Sequence, residues 1–344
     1  MNARGILATA IVALGGLALA AAPAGAQGPF HVEHVWKVGG DGGWDYMSVD
    51  PHSKLLYITR GDHVIVFNTR EGKQVAEIPG LHGIHCVVFS SDGVHGYITD
   101  GGANQVAVFN RKTEKIVETI PVGNHPDGEV FEPVTKTVWA FDGGSRDATV
   151  IDTKTNRVVA TIPLPGRPEF PVADGRGHVF DNIESTSQLV ELDAKTLKLN
   201  ATWPLAPCEG PSGLAIDAAH RRLFSVCDNQ TMAVVDADTG KVVTTVAIGH
   251  GPDASRYTAN GSYAFSPNGG SGTLTVIHED SPDRYSVVQT LTTKLGARTM
   301  AIDPDGNHLY TVTADFGPPP AGQQHGHHWR TIVPGTFEII DVSR

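Results

Sequence analysis

The stretch Val150-Ile151-Asp152-Thr153-Lys154-Thr155-Asn156-Arg157-Val158-Val159 decides the fold, because its pattern returns along the whole chain. Two apolar or β-branched residues are followed by Asp or Asn, then by a turn rich in Thr, Lys or Gly, then by a second apolar run. The same signature stands at Val66-Phe67-Asn68, Val108-Phe109-Asn110, Glu191-Leu192-Asp193, Val234-Val235-Asp236, Val276-Ile277-His278 and Ile339-Ile340-Asp341. Successive third residues are separated by 42, 42, 41, 43, 42 and 63 positions. A unit of that size holds four short strands and their turns, one blade of a β-propeller.

Within a unit, alternating Val, Ile, Thr and Phe mark the strands, and Gly, Asp and Pro mark the breaks. The first unit reads as Met47 to Asp50, Leu55 to Thr59, Val64 to Asn68 and Gln74 to Ile78. No amphipathic helix follows the apolar N-terminus, so the expected class is all-β. The last unit stops after its third strand, at Arg344. The segment from Phe30 to Gly39 has the fourth-strand pattern of Lys115 to Gly123. An N-terminal strand completing the C-terminal blade would close a seven-bladed propeller and remove both free edges.

Residues 1–26 read as a signal peptide: Arg4, an apolar run from Ile6 to Ala22, and the small-x-small site Ala24-Gly25-Ala26. The expected mature domain is 27–344, periplasmic or secreted, with no membrane span after signal removal. The chain carries a net charge of −11, so phosphate backbones are repelled and nucleic acid is an unlikely partner. Export permits disulfides. Of the three cysteines, Cys208 and Cys227 fall at the same edge of one hairpin, where they can pair, and Cys86 reads as packed between blades.

The repeats Tyr57-Ile58-Thr59-Arg60 and Tyr97-Ile98-Thr99-Asp100, with the unit from Val117 to Phe131, resemble the YVTN repeat. The chain after the leader is similar to YncE-type seven-bladed propellers of bacterial envelopes. That resemblance implies a binding or accessory role, with a small-molecule ligand or an envelope protein as partner and a monomeric state. Fold does not fix chemistry.

Propeller ligands sit at the mouth of the central channel. Aligning the innermost strands on Val49, Phe89, Phe131, Ala173, Ile216, Tyr257 and Ile302 places Asp45, His85, Asp127, Glu169, Ser212, Asp253 and Arg298 four residues upstream. All seven are polar, whereas the preceding column is apolar and mostly Pro. Short polar residues at strand starts also satisfy backbone groups, but capping alone does not call for His, Glu and Arg. Four carboxylates converging on a funnel repel one another unless a cation or protons intervene. A divalent metal (zinc, calcium, manganese or iron) on His85, Asp127, Glu169 and Asp253 answers this, with Arg298 toward an anionic group.

His82, His125, Glu209 and His250 lie in loops of the same face, and Trp44 offers an aromatic wall. The long seventh unit carries Asp315 to Pro320, a Pro- and Gly-rich loop that reads as a lid, and the tract His325-Gly326-His327-His328, which could collect zinc or copper but reads first as a solvated loop. Gly39 to Gly43 reads as a turn. His31 and His34 belong to the closing strand, away from the mouth. No phosphate loop, CxxC pair, HExxH helix or serine elbow is present.

Three functions fit these residues. The first is a binding module. The second, by analogy with gluconolactonase-type propellers, is a metal-dependent hydrolase or lactonase with Glu169 or Asp127 as base; an Asn-rich metal shell is not apparent. The third is an interaction scaffold.

Overall fold

The computed structural model describes Met1, residues 28–318 and residues 331–344. Apart from Met1, the expected signal peptide lies outside the described residues, as does the tract His325 to His328. The described chain is β throughout, apart from two one-turn 3-10 segments at Gly101–Ala103 and Glu184–Thr186.

Blade 3 shows how the repeat is built: Pro126–Glu132 innermost, then Thr137–Asp142, Asp147–Asp152 and Arg157–Pro163 outermost, all antiparallel. The two middle strands are buried on both faces, which explains their unbroken apolar runs, while the outermost strand alternates exposed and covered residues. The turn after the third strand is set by Asp152, whose Oδ1 accepts from the backbone N–H groups of Lys154 and Thr155. Asn68, Asn110, Asp193 and Asp236 repeat this bond at the equivalent turns. The recurring Asp/Asn is therefore a turn cap with a geometric reason for its spacing.

Blades 4, 5 and 6 repeat the four-stranded arrangement. Blades 1 and 2 are joined in one sheet because Lys73–Phe89 runs on without a break, serving as outermost strand of one and innermost strand of the next. In blade 7 the N-terminal strand His31–Lys37 pairs antiparallel with Glu338–Ser343, with His31 opposite Ser343 and Lys37 opposite Glu338. The closing strand is tied down beside blade 6, where Phe30 is buried edge-on between Tyr263 and Phe265. The Gln289 side chain donates to Phe30 O and accepts from Phe30 N.

Neighbouring blades are stitched at the axis by side chains of buried second strands. Thr59 Oγ1 donates to His85 O, Thr99 Oγ1 to Asp127 O and Asn182 Nδ2 to Ser212 O. Thr299 Oγ1 donates to Asp45 O, linking blade 7 to blade 1. Gly39 to Gly43 is the expected turn, with a role the sequence did not disclose. Its carbonyls wrap the guanidinium of Arg60, which is 2% exposed and lies 3.7 Å over the Phe337 ring. Cys208 and Cys227 form a disulfide with Cα atoms 5.6 Å apart. Cys86 is buried and reduced, its thiol against the blade 3 carbonyl of Glu129.

Candidate functional site at the channel mouth

Each ring residue stands where its innermost strand opens. In blades 2 to 5 the ladder is irregular at that point: two residues, His85-Cys86, Asp127-Gly128, Glu169-Phe170 and Ser212-Gly213, oppose one on the second strand. These are β-bulges, which re-aim side chains. They let two successive positions approach the axis, where a regular strand would present only one. The apolar column of Pro126, Pro168 and Pro211 begins each strand just before the bulge.

Five of the seven ring residues form one ion-paired chain around the mouth. Asp253 Oδ2 accepts from Arg298 Nε at 2.6 Å, and Arg298 Nη2 donates to Trp44 O and lies 4.0 Å from Asp45 Oδ1. Asp45 Oδ2 is 2.6 Å from His85 Nδ1, which is itself 3.4 Å from Asp127 Oδ1. These side chains are about one-fifth exposed. Glu169 accepts from Tyr46 OH at 3.3 Å across the axis. Ser212 turns aside: it is buried and its hydroxyl reaches Pro252 O, so it joins blades 5 and 6.

The protonation of the mouth follows from burial and these pairings. Burial pushes the His85 imidazole down, but the Asp45 hydrogen bond and the charges of Asp127, Asp45 and Asp253 outweigh it and hold it at about 9. Burial raises the Asp127 carboxyl to about 7 against the pull of His85. Burial, with Asp127 and Asp253 nearby, lifts Glu169 well above the carboxylate range. Burial likewise works against the Arg298 cation, yet Asp253 and Asp45 leave its pKa above the ordinary value. Protons and two fixed cations thus balance the carboxylates. Glu169, so raised, accepts its hydrogen bond from Tyr46 OH.

The anticipated quartet of metal ligands is divided between partners. Asp253 is engaged by Arg298 and Glu169 by Tyr46, whereas His85 and Asp127 remain together. The third donor beside them is His125: His85, His125 and Asp127 each offer a ligand atom, all within 4.8 Å of one another. The His85 and His125 rings are 5.1 Å apart. His125 is exposed at the loop tip, with left-handed backbone (φ 54°), and its N–H donates to Asn104 Oδ1. Its place in the loop before the strand was the signal; pairing it with His85 required the three-dimensional register.

The other loop residues serve differently. Trp44 is buried against Phe316 and Phe337 with the Arg298 guanidinium 5.8 Å from its ring, so it floors the arginine and forms no open wall. His82, Glu209 and His250 are exposed. The long insertion of blade 7 leaves and returns beside Trp44, closed by the bond from Gly317 N to Thr331 O. Two more histidine-carboxylate groups, Glu33-His308-Asp341 and Asp217-His220-Glu279, belong to the opposite face. There Asp217 pairs with His220 in the turn before the second strand of blade 5, and Asp341 of the third strand of blade 7 pairs with His308 at the start of the second.

No known family's sequence pattern matches the chain, and no curated protein matches it in sequence. Similar solved structures are propellers or contain them. A chain of Kuenenia stuttgartiensis hydrazine synthase aligns with TM-score 0.70 at 16% identity, covering 78% of this chain and 92% of that one. U3-55K aligns with TM-score 0.73 at 12% identity over 91% and 98% of the two chains. The WD40 repeats of RRP9 align with TM-score 0.72 at 12% identity over 92% and 99%. At these identities the likeness is one of fold: the chain is a β-propeller.

Proposed function

We propose that this protein is an exported binding propeller that holds a divalent transition metal, zinc fitting best, at His85, His125 and Asp127, and presents an open coordination position to a small ligand. The carrying observation is the convergence of two imidazoles and one carboxylate within 4.8 Å. Two nitrogens and one oxygen suit zinc, and three protein ligands leave a fourth position open. Zinc bonds of ~2.1 Å place neighbouring ligand atoms ~3.4 Å apart, an approach that an exposed His125 supplies by rotamer change. His85 brings its own outer support, since Asp45 holds Nδ1 and fixes the ring, which leaves Nε2 as the nitrogen that would bind the metal.

Export rests on the leader sequence of residues 1–26, and the Cys208–Cys227 disulfide agrees with a periplasmic or secreted location. The repeat pattern favours kinship with the YncE-type envelope propellers. Among the described residues no helix is long and apolar enough to cross a membrane.

The test is calorimetric titration of zinc into chelator-treated protein in which His325, His327 and His328 are all Ala, which removes the competing tract. One zinc per chain is expected, with His125→Ala and Asp127→Asn each weakening it about 10- to 100-fold. Absence of stoichiometric zinc in that background would refute the site.

A further inference from the structure

Beneath the mouth the channel is plugged and then reopens. Tyr46 of blade 1 and Phe170 of blade 4 meet with ring centroids 4.6 Å apart. Innermost strands of non-adjacent blades touch only across the axis, so this pair closes the channel under the polar ring. On the far side lies a solvent-open recess of about 250 Å³ lined by residues of blades 1, 2, 3, 6 and 7, among them Val49, Val88, Phe89, Phe131 and Ile302. The lining is apolar except for Ser48 and Arg256, and it contains no carboxylate. Ser48 Oγ is already committed to Val87 O.

Arg256 is the exception that needs an explanation. It is half-buried, with its guanidinium 4.9 Å over the Phe170 ring. Its hydrogen bond runs from Nη1 to the adjoining carbonyl of Ser255, at 2.7 Å. No acidic side chain pairs with it among the described residues, while Arg111, Arg221, Arg222 and Arg298 all have carboxylate partners. A guanidinium stays charged, carries five donors in a planar fork and is costly to desolvate without a counter-charge. Arg256 lines an apolar recess with the room of about eight waters.

We propose that this lower chamber is a second binding site, for a small monocarboxylate with a short hydrocarbon body, held by a bidentate bond from Arg256 and by the apolar walls. A carboxylate matches the fork geometry and neutralises the cation. The Val, Phe and Ile lining takes the hydrocarbon. The Tyr46–Phe170 plug separates this site from the mouth, so it stands or falls apart from the metal reading.

The experiment is calorimetric titration of the full mature chain with hexanoate, and with hexan-1-ol as the uncharged control. Hexanoate is expected to bind one per chain while hexan-1-ol does not saturate, and Arg256→Met is expected to weaken hexanoate about thirtyfold or more. No saturable hexanoate binding up to about 10 mM, equal binding of the alcohol, or an Arg256→Met protein that binds unchanged would each overturn the proposal. Should Arg256→Met fail to fold, Arg256→Lys keeps the charge and loses the fork, and is expected to bind about tenfold more weakly. Unchanged hexanoate affinity in that variant would count against a bidentate contact.

Discussion

The two ends of the channel treat arginine in opposite ways. At the mouth Arg298 lies between Asp253 and Asp45, one link in a run of charges that continues through His85 to Asp127. Beyond the plug Arg256 has an aromatic ring and one backbone carbonyl, and the walls around it are hydrocarbon. Arg256 opens an innermost strand and Arg298 just precedes one, three positions apart in the aligned repeat. The propeller thus presents two chemically different chambers along one axis. In the upper one each ring cation has a carboxylate partner in the protein, and in the lower one a cation waits for an external partner.

The largest expected effect breaks that contrast directly. Arg298→Met strips Asp253 and Asp45 of their cation and should cost about 2–4 kcal/mol, below the range for fully buried pairs because these groups are one-fifth exposed. The same change at Arg256 removes a half-buried charge with no carboxylate partner among the described residues, and its effect should be neutral or stabilising by about 1 kcal/mol. Urea unfolding of the two variants beside the wild type reads both signs.

A second test concerns pH. The raised Asp127 carboxyl makes folding less favourable as pH climbs from the ordinary carboxylate range to about 7, because the unfolded chain ionises first. The raised His85 imidazole contributes stability in full below about 6.5, and this is lost as pH rises through about 9. NMR titration of the metal-free protein should therefore find His85 changing charge near 9. In Asp45→Asn that midpoint should fall toward the ordinary histidine value, while Arg256→Met should leave it in place.

The smallest effect is at the partition itself. Tyr46→Phe removes the bond to Glu169 and should cost about 1 kcal/mol by the same unfolding measurement, with the ring contact to Phe170 retained.

How much of this was legible in the sequence depends on whether a feature repeats. The blades were readable because the turn-capping Asp/Asn returns once per unit, and the closing strand because its pattern matches Lys115 to Gly123. The mouth was readable as a column because six of its seven members do face one another; Ser212 was indistinguishable from them by residue type. The bulges left no mark in composition, so the meeting of Tyr46 with Phe170 under the ring was not legible, while Cys86, read as packed between blades, does lie against Glu129 O of blade 3. Arg256 stands in a column otherwise occupied by Ser48, Val88, Val130, Val172, Ala215 and Ala301, where a single cation carries no periodic signal. Arg60 was hidden for another reason, since its partners are backbone carbonyls of Gly39 to Gly43 that no side-chain pattern reports.

The mouth is proposed to gather a metal through His85, His125 and Asp127. Crystals of the mature protein grown with one equivalent of zinc, with anomalous differences measured across the zinc absorption edge, test it most directly. The account predicts one peak bonded to a nitrogen of each histidine and to an Asp127 oxygen, with Asp45 still on His85 Nδ1. A peak confined to the His325–His328 tract, or no peak at the mouth, would contradict it.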